Sequence, residues 1–345
     1  MNSDTYLVSG ASGFIASWIC KLLLEQGAKV HGTVRSLDNK KKVQHLLDLQ
    51  NKYPDQFHLF EADLLIEGSF DSAMQGCQYV LHTASPFFVG NIKNAQKSLI
   101  DPALKGTQNI LNSVNRTDSV KKVVLTSSVV AIFSDNAEIQ DIPDGIFTNQ
   151  VWNKTASESY QPYAYSKTVA EKKARQMAAA QDRWALSTIN PGFVLGPSLS
   201  NRVDGTSTKT VYEIMSGKMA FGLPEINMGM VDVRDVAQAH INAATTQTQS
   251  DRFILVGHHA AISDWLPFLE KYKGKYKIPT SKIPKPLLYI FGPLQGFTWK
   301  YVSKNVGIPI SFDNKPSIDE LGIQYRELEK TLDDQIHSLI EKELV

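Results

Sequence analysis

Tyr163 and Lys167 stand four residues apart in a segment with helical patterning, so one helix face carries a phenol and an ammonium together. Ser128 closes the run Val123-Val124-Leu125-Thr126-Ser127-Ser128, which reads as a strand ending in two hydroxyls. These three residue types suit hydride transfer to a carbonyl. The hydride leaves negative charge on oxygen, and that oxygen needs a proton at once. A phenol with an ordinary pKa of about 10 is a poor proton exchanger at neutral pH, and an adjacent ammonium corrects this by stabilising the phenolate. A serine hydroxyl can hold the carbonyl oxygen against the tyrosine. Ser127 competes with Ser128 for that role, because neighbouring strand residues point to opposite faces. Tyr165 is only two residues from Lys167 and lies off the shared face. A Tyr-x-x-x-Lys spacing alone is a frequent accident, so the surrounding elements must supply the rest of the argument.

Those elements alternate. Tyr6–Ser9, Val30–Val34, Phe57–Glu61, Tyr79–Thr83, Lys122–Thr126 and Ala185–Asn190 read as short apolar strands. Helical patterns fall between most of them, including Phe14–Gln26, Asn94–Val114 and Ala164–Ala180. Continuously apolar strands alternating with helices predict an α/β fold: a doubly wound parallel sheet covered on both faces. After Pro191 the pattern loosens. A strand–helix pair near Met230–Thr246 and a strand at Arg252–Val256 follow, then Pro-rich loops and a closing helix near Glu327–Glu343. We expect a dinucleotide-binding domain over 1–190, with 230–256 returning to it. Segments 191–229 and 257–345 would form a smaller substrate-binding lobe.

The first strand runs into Gly10-Ala11-Ser12-Gly13-Phe14-Ile15-Ala16. Gly10 permits the tight turn, Gly13 lets backbone amides approach a pyrophosphate, and Ala16 lets the helix pack closely on the sheet. The helix N-terminus then presents unpaired N–H groups to the phosphates. The second strand ends Thr33-Val34-Arg35-Ser36, with a guanidinium where an NAD site would carry a carboxylate. Arg35, with Lys42 as a second charge, predicts a 2′-phosphate and hence NADP(H). Asp63, at the end of the third strand, is expected on the adenine side, and Leu64 beside it is expected to contact the cofactor. Thr83, Ala84 and Ser85, after the fourth, and Pro191 and Val194 are also expected to contact the cofactor.

The totals exclude several classes. Lys plus Arg number 36 against 35 Asp plus Glu, a net charge of +1 that recruits neither nucleic acid nor an anionic membrane. The two cysteines, Cys20 and Cys77, make no disulfide framework, and no metal-ligand spacing appears. Cys20 lies in an apolar helical stretch and is expected to be a buried thiol. Leu287–Phe297, interrupted by Pro293, is too short to span a bilayer. With no signal peptide at the N-terminus, the expectation is a cytoplasmic protein, a monomer or homodimer, acting on a small carbonyl compound. Lys271–Lys277 is read as a solvated loop. The apolar Pro284–Trp299 stretch is read as either core or a greasy substrate wall.

The motifs together resemble the extended short-chain dehydrogenases/reductases, in the branch holding plant dihydroflavonol and cinnamoyl-CoA reductases and yeast ketone/methylglyoxal reductases. The matching pieces are Val8–Ile15, Thr33–Ser36, His82-Thr83-Ala84-Ser85-Pro86, Leu125–Ser128, Tyr163–Lys167, Asn190-Pro191-Gly192 and Val231–Ala237. The resemblance implies that Ser128 rather than Ser127 is catalytic. It also implies that Ser12, Arg35 and Lys42 hold the 2′-phosphate, and that Ser85, Pro86 and Pro191 line the nicotinamide side. Asp232 and Asp235 are expected to be structural, bridging to basic neighbours. Phe133 stands five positions after Ser128, where dihydroflavonol reductases carry an amide or carboxylate. With Phe87 it is the expected substrate contact, suited to an alkyl or aryl ketone rather than a catechol. The Asn-Trp-Tyr-Cys run of cinnamoyl-CoA reductases is absent. The same trio serves hydroxysteroid dehydrogenases and sugar-nucleotide epimerases, and a non-catalytic NADP-binding regulator would share the fold.

Overall fold

The computed structural model describes residues 4–85 and 94–345. Its first strands are short and apolar: β1 (Thr5–Ser9), β2 (Lys29–Val34), β3 (Phe57–Glu61), β4 (Tyr79–His82), β5 (Lys122–Thr126) and β6 (Ala185–Pro191). Between them run α1 (Phe14–Glu25), α2 (Lys40–Lys52), the short α3 (Asp71–Met74), α4 (Asp101–Arg116) and α5 (Pro162–Ala179). The later chain supplies β7 (Phe193–Leu195), α6 (Thr206–Met215), β8 (Leu223–Pro224), β9 (Asn227–Asp232), α7 (Val233–Thr245), β10 (Arg252–Leu255) and β11 (His258–Ala261). It ends with α8 (Leu266–Leu269), β12 (Lys282–Ile283), α9 (Lys285–Phe291), α10 (Trp299–Asn305), α11 (Lys315–Asp319) and α12 (Leu328–Glu341).

Seven strands form one parallel sheet in the order β10-β6-β5-β4-β1-β2-β3, the doubly wound arrangement that the alternating pattern predicts. Strand order reverses between β1 and β4, which opens a crevice at their carboxyl ends. Alternation sorts the side chains between two apolar layers. Tyr6, Val8, Leu81 and Val124 pack with α1 and α7. Leu7, Val80, Val123 and Leu125 pack with α3 and α4 on the opposite face. α1 stops where Gly27 turns the chain at φ +81°, a conformation with no Cβ penalty for glycine. Cys20 is buried, as expected for its place in α1.

The later chain does two things. α7 lies against α1 and β10 joins the main sheet beside β6. β9 instead belongs to a three-stranded sheet with β7 and β11, over a separate apolar cluster that includes Val211, Ile214, Trp265 and Ile336. Among the described residues no helix is long and apolar enough to cross a membrane.

Candidate active site

The βα turn after β1 has the shape of an anion cradle. Gly10 sits at φ +65°, and a Cβ there would meet the Ala84 Cβ at 3.0 Å. The turn is closed by the Gly13 amide donating to the Gly10 carbonyl at 2.8 Å, and the Ala11 amide donating to Thr33 at 2.8 Å. α1 has no side-chain cap and no acidic residue in its first turn, so its leading amides are left to a ligand. Behind the turn, the Ser9 hydroxyl lies 2.8 Å from His82 Nδ1 and accepts from the Ala84 amide at 3.0 Å. The Thr83 hydroxyl donates to the Ser9 carbonyl at 2.6 Å. These contacts lock the end of β4 against the glycine turn. Burial holds His82 neutral, down to about 3. A dinucleotide pyrophosphate fits this cradle by shape and by polarity.

The other expected cofactor residues fall along the same edge. Ser12, Phe14 and Ile15 are half-buried at the start of α1, and Pro191 and Val194 sit at the end of β6 and in β7. Leu64 lines a small cavity together with Ala84, Ser85 and Lys167. Arg35 is highly exposed at the end of β2, with its Nε 3.7 Å from Asp63. Asp63 also accepts from the Leu65 amide at 2.8 Å. Lys42 is exposed in the first turn of α2. Pro86 and Phe87 lie outside the described residues.

At the centre of the edge are the phenol, the ammonium and the two hydroxyls. Pro162 occupies the first turn of α5, after Gln161 at φ +53°, and Tyr163 follows at once. Tyr163 keeps 36% of its surface open, yet the packing around it pushes its hydroxyl up to about 12. Lys167 is buried and donates to the Thr126 carbonyl at 3.4 Å. Burial brings it down to about 8, and the Glu171 carboxylate opposes that fall. The side-chain alternation of β5 then separates the serines. Thr126 faces α7, 2.7 Å from His240. Ser127 faces α5 and donates to Glu171 at 2.5 Å. Ser128 lies beyond the strand, where it caps a short turn and its hydroxyl accepts from the Val130 amide at 3.3 Å.

Sequence reasoning missed Glu171. It is fully buried and takes hydrogen bonds or ion pairs from Ser127, Asn190, Thr188, Arg252 and Arg175. One signal was available: Glu171 stands four residues after Lys167, extending the face of Tyr163 and Lys167 by another turn.

The structure describes the surroundings of two segments expected on the substrate side. Phe133 is 7% exposed and stacked on Phe147 at 4.8 Å, with Phe312 at 5.5 Å. An aromatic cluster claims its face, because the residues after the turn pack against β10 and the 310–312 segment rather than lining an open wall. Pro284–Trp299 is not a simple core segment either, since Leu287, Ile290, Phe291 and Trp299 are exposed on α9 and α10. Asp232 pairs with Arg234 at 2.6 Å and Asp235 pairs with Arg326, the structural bridges expected of them. Lys271–Lys277 lies at the surface, tied by Lys271 to Asp333 at 2.7 Å.

Residues 6–257 match the model of the NAD dependent epimerase/dehydratase family. A cinnamoyl-CoA reductase of Medicago truncatula is 37% identical, over 97% of this chain and 95% of that protein. An anthocyanidin reductase of Vitis vinifera is 33% identical, over 87% of this chain and 92% of its own. The yeast methylglyoxal/isovaleraldehyde reductase, solved with NADPH, superposes with a TM-score of 0.79 at 29% identity, covering 98% of this chain and 99% of its own. The chain belongs to the NAD dependent epimerase/dehydratase family of extended short-chain dehydrogenases/reductases, and within it to the oxidoreductases.

Proposed function

We propose that this protein reduces aldehydes and ketones to alcohols with NADPH, with Tyr163 as the proton donor. The observation that carries this reading is the meeting of α5 with the end of β5. Tyr163 and Lys167 share one helix face, and Ser128 follows the strand whose Thr126 carbonyl accepts from Lys167. When bound, the nicotinamide supplies the hydride. Ser128 donates to the carbonyl oxygen and holds it beside the phenol. Tyr163 gives up its proton as charge develops on that oxygen, and the Lys167 ammonium makes the phenol a stronger acid. Ser127 is spent on Glu171, which supports the choice of Ser128. Arg35 supports NADPH over NADH, because a highly exposed guanidinium at the end of β2 can fork onto a 2′-phosphate.

The similar proteins are named as reductases of chemically different compounds, which supports reduction without choosing a substrate. The substrate wall is proposed to come from 191–229 and 257–345, the segments outside the parallel sheet. The test follows NADPH oxidation by absorbance against simple ketones, aldehydes, a dihydroflavonol and a steroid, with NADH in parallel. Turnover of simple ketones with NADPH is the expected result. NADPH binding with no turnover on the whole panel would overturn the reading.

A further inference from the structure

We propose that Glu171 is a positioning residue: it clamps the strand end bearing Ser127 and Ser128 onto the helix bearing Tyr163 and Lys167. This rests on the reading of Ser128, Tyr163 and Lys167 as the catalytic group. Glu171 continues their helix face, at steps of four residues from Tyr163 through Lys167. One of its oxygens, Oε2, points at the strand ends. It accepts from the Ser127 hydroxyl at 2.5 Å and from Asn190 Nδ2 at 2.9 Å. The same Asn190 nitrogen donates to the Ser128 carbonyl at 3.0 Å. Two short paths therefore join α5 to the backbone of Ser128, one through Ser127 and one through Asn190.

The other oxygen, Oε1, faces the charges that make burial tolerable. Arg252 Nε donates to it at 2.6 Å and Arg175 Nε at 3.4 Å. Arg252 is itself only 3% exposed and lies over the Trp152 ring at 3.9 Å. Its guanidinium also donates to the carbonyls of Asn149 and Val151. Burying such a pair is a weak way to gain stability, because well-packed apolar residues of the same volume serve as well or better. What a carboxylate adds is direction. Its fixed lone pairs set the distance between two elements that must place a hydroxyl and a phenol on one oxygen. Displacing catalytic groups by about 1 Å costs roughly 100-fold in rate.

The carboxylate has a second effect through charge. Glu171 and Lys167 line the same small cavity, and burial there works against the ammonium. Facing Lys167 are Tyr163 and Glu171 on its own helix and neutral His82 at the end of β4. Across Glu171 stand Arg252 of β10 and Arg175 of α5, both positive. Glu171 is the negative neighbour that opposes the loss of the Lys167 proton. Without its charge, Lys167 loses that proton at lower pH.

The experiment compares Glu171→Gln with wild type, normalised by titrating NADPH sites. The expected result is a fall in kcat of about 30-fold with KM and NADPH affinity within about twofold, the pattern of groups present but misplaced. The alkaline decline of the reduction rate should also move to lower pH. A lower melting temperature with unchanged kcat and pH profile would make Glu171 a plain stability element and overturn the proposal. Should Glu171→Gln fail to fold because Arg252 loses its counter-charge, Ser127→Ala keeps that pair and cuts one path. Its kcat should fall about fivefold, and an unchanged kcat would overturn the proposal on its own. Where both variants fold, the double variant should lose little more than Glu171→Gln alone, because contacts in one linkage are not additive. Multiplying losses would overturn the proposal too. Tyr163→Phe, run alongside, separates the two readings. If it stays active, the catalytic assignment falls; if it is dead while Glu171→Gln is fully active, only the clamp falls.

Discussion

The two ends of the crevice are built on opposite plans. At the proposed catalytic end, Lys167, Ser127, Asn190, Glu171 and Arg252 are all buried, and nearly every polar atom has a named partner. At the proposed adenosine end, Arg35 is highly exposed, with its Nε 3.7 Å from Asp63, and Lys42 is exposed on α2. The difference suits the two tasks proposed for these ends. Proton and hydride transfer depend on sub-ångström placement, which a buried network of partnered groups beside the half-open Tyr163 can hold. Telling a 2′-phosphate from a hydroxyl depends on charge, and a flexible guanidinium meets a phosphate well enough. The preset end carries buried charge, and the open end keeps its charge at the surface.

Breaking the comparison starts at the preset end. Tyr163→Phe should lower kcat by about 1,000-fold while NADPH affinity stays within about twofold, measured by steady-state rates and fluorescence titration. Substantial remaining activity would remove Tyr163 from its role. Ser128→Ala should cost about 100-fold, and Ser127→Ala clearly less. The reverse order would exchange the two serines. At the open end, Arg35→Asp should weaken NADPH by roughly 100-fold and NADH hardly at all, since one charged hydrogen-bonding partner is lost and a repulsive one gained. Equal weakening of both cofactors would show that Arg35 does not read the phosphate.

The pH dependence sharpens the same contrast. Burial lowers Lys167 to about 8, so its ammonium is present below that pH and lost as the pH rises through it. The reduction rate should therefore decline across about pH 8, with no contribution from His82, which is neutral above about 3. A flat profile from pH 6 to 9 would contradict a working ammonium. The smallest effect lies in the glycine turn. Gly10→Ala puts a methyl at φ +65°, 3.0 Å from Ala84, and should cost about 1–3 kcal/mol of stability by thermal or denaturant melting.

The parallel sheet and the phosphate turn could be read from the chain because their signals are local. The strand runs are short and mostly apolar, and glycine marks the turn after β1. The spacing of Tyr163 and Lys167 needed only the helical repeat. Phe133 shows where that reasoning stops. Its position suggests a substrate contact, and what the local pattern does not give is that its neighbours Phe147 and Phe312 come from distant segments.

By itself the sequence determined the alternation of strands and helices that makes a doubly wound sheet, the helix face of Tyr163 and Lys167, and the charge at the end of β2. All of these rest on periodicity and residue type within a few turns of chain. Only the tertiary structure decided that Ser127 bonds to Glu171 while Ser128 caps the following turn, and that Glu171 joins both to α5. Those answers rest on contacts across long separations, Glu171 with Arg252 at 81 residues and Asn190 with Ser128 at 62. Such contacts exist only once the sheet has brought β5, β6 and β10 side by side, and no local pattern encodes which buried donor will face which acceptor.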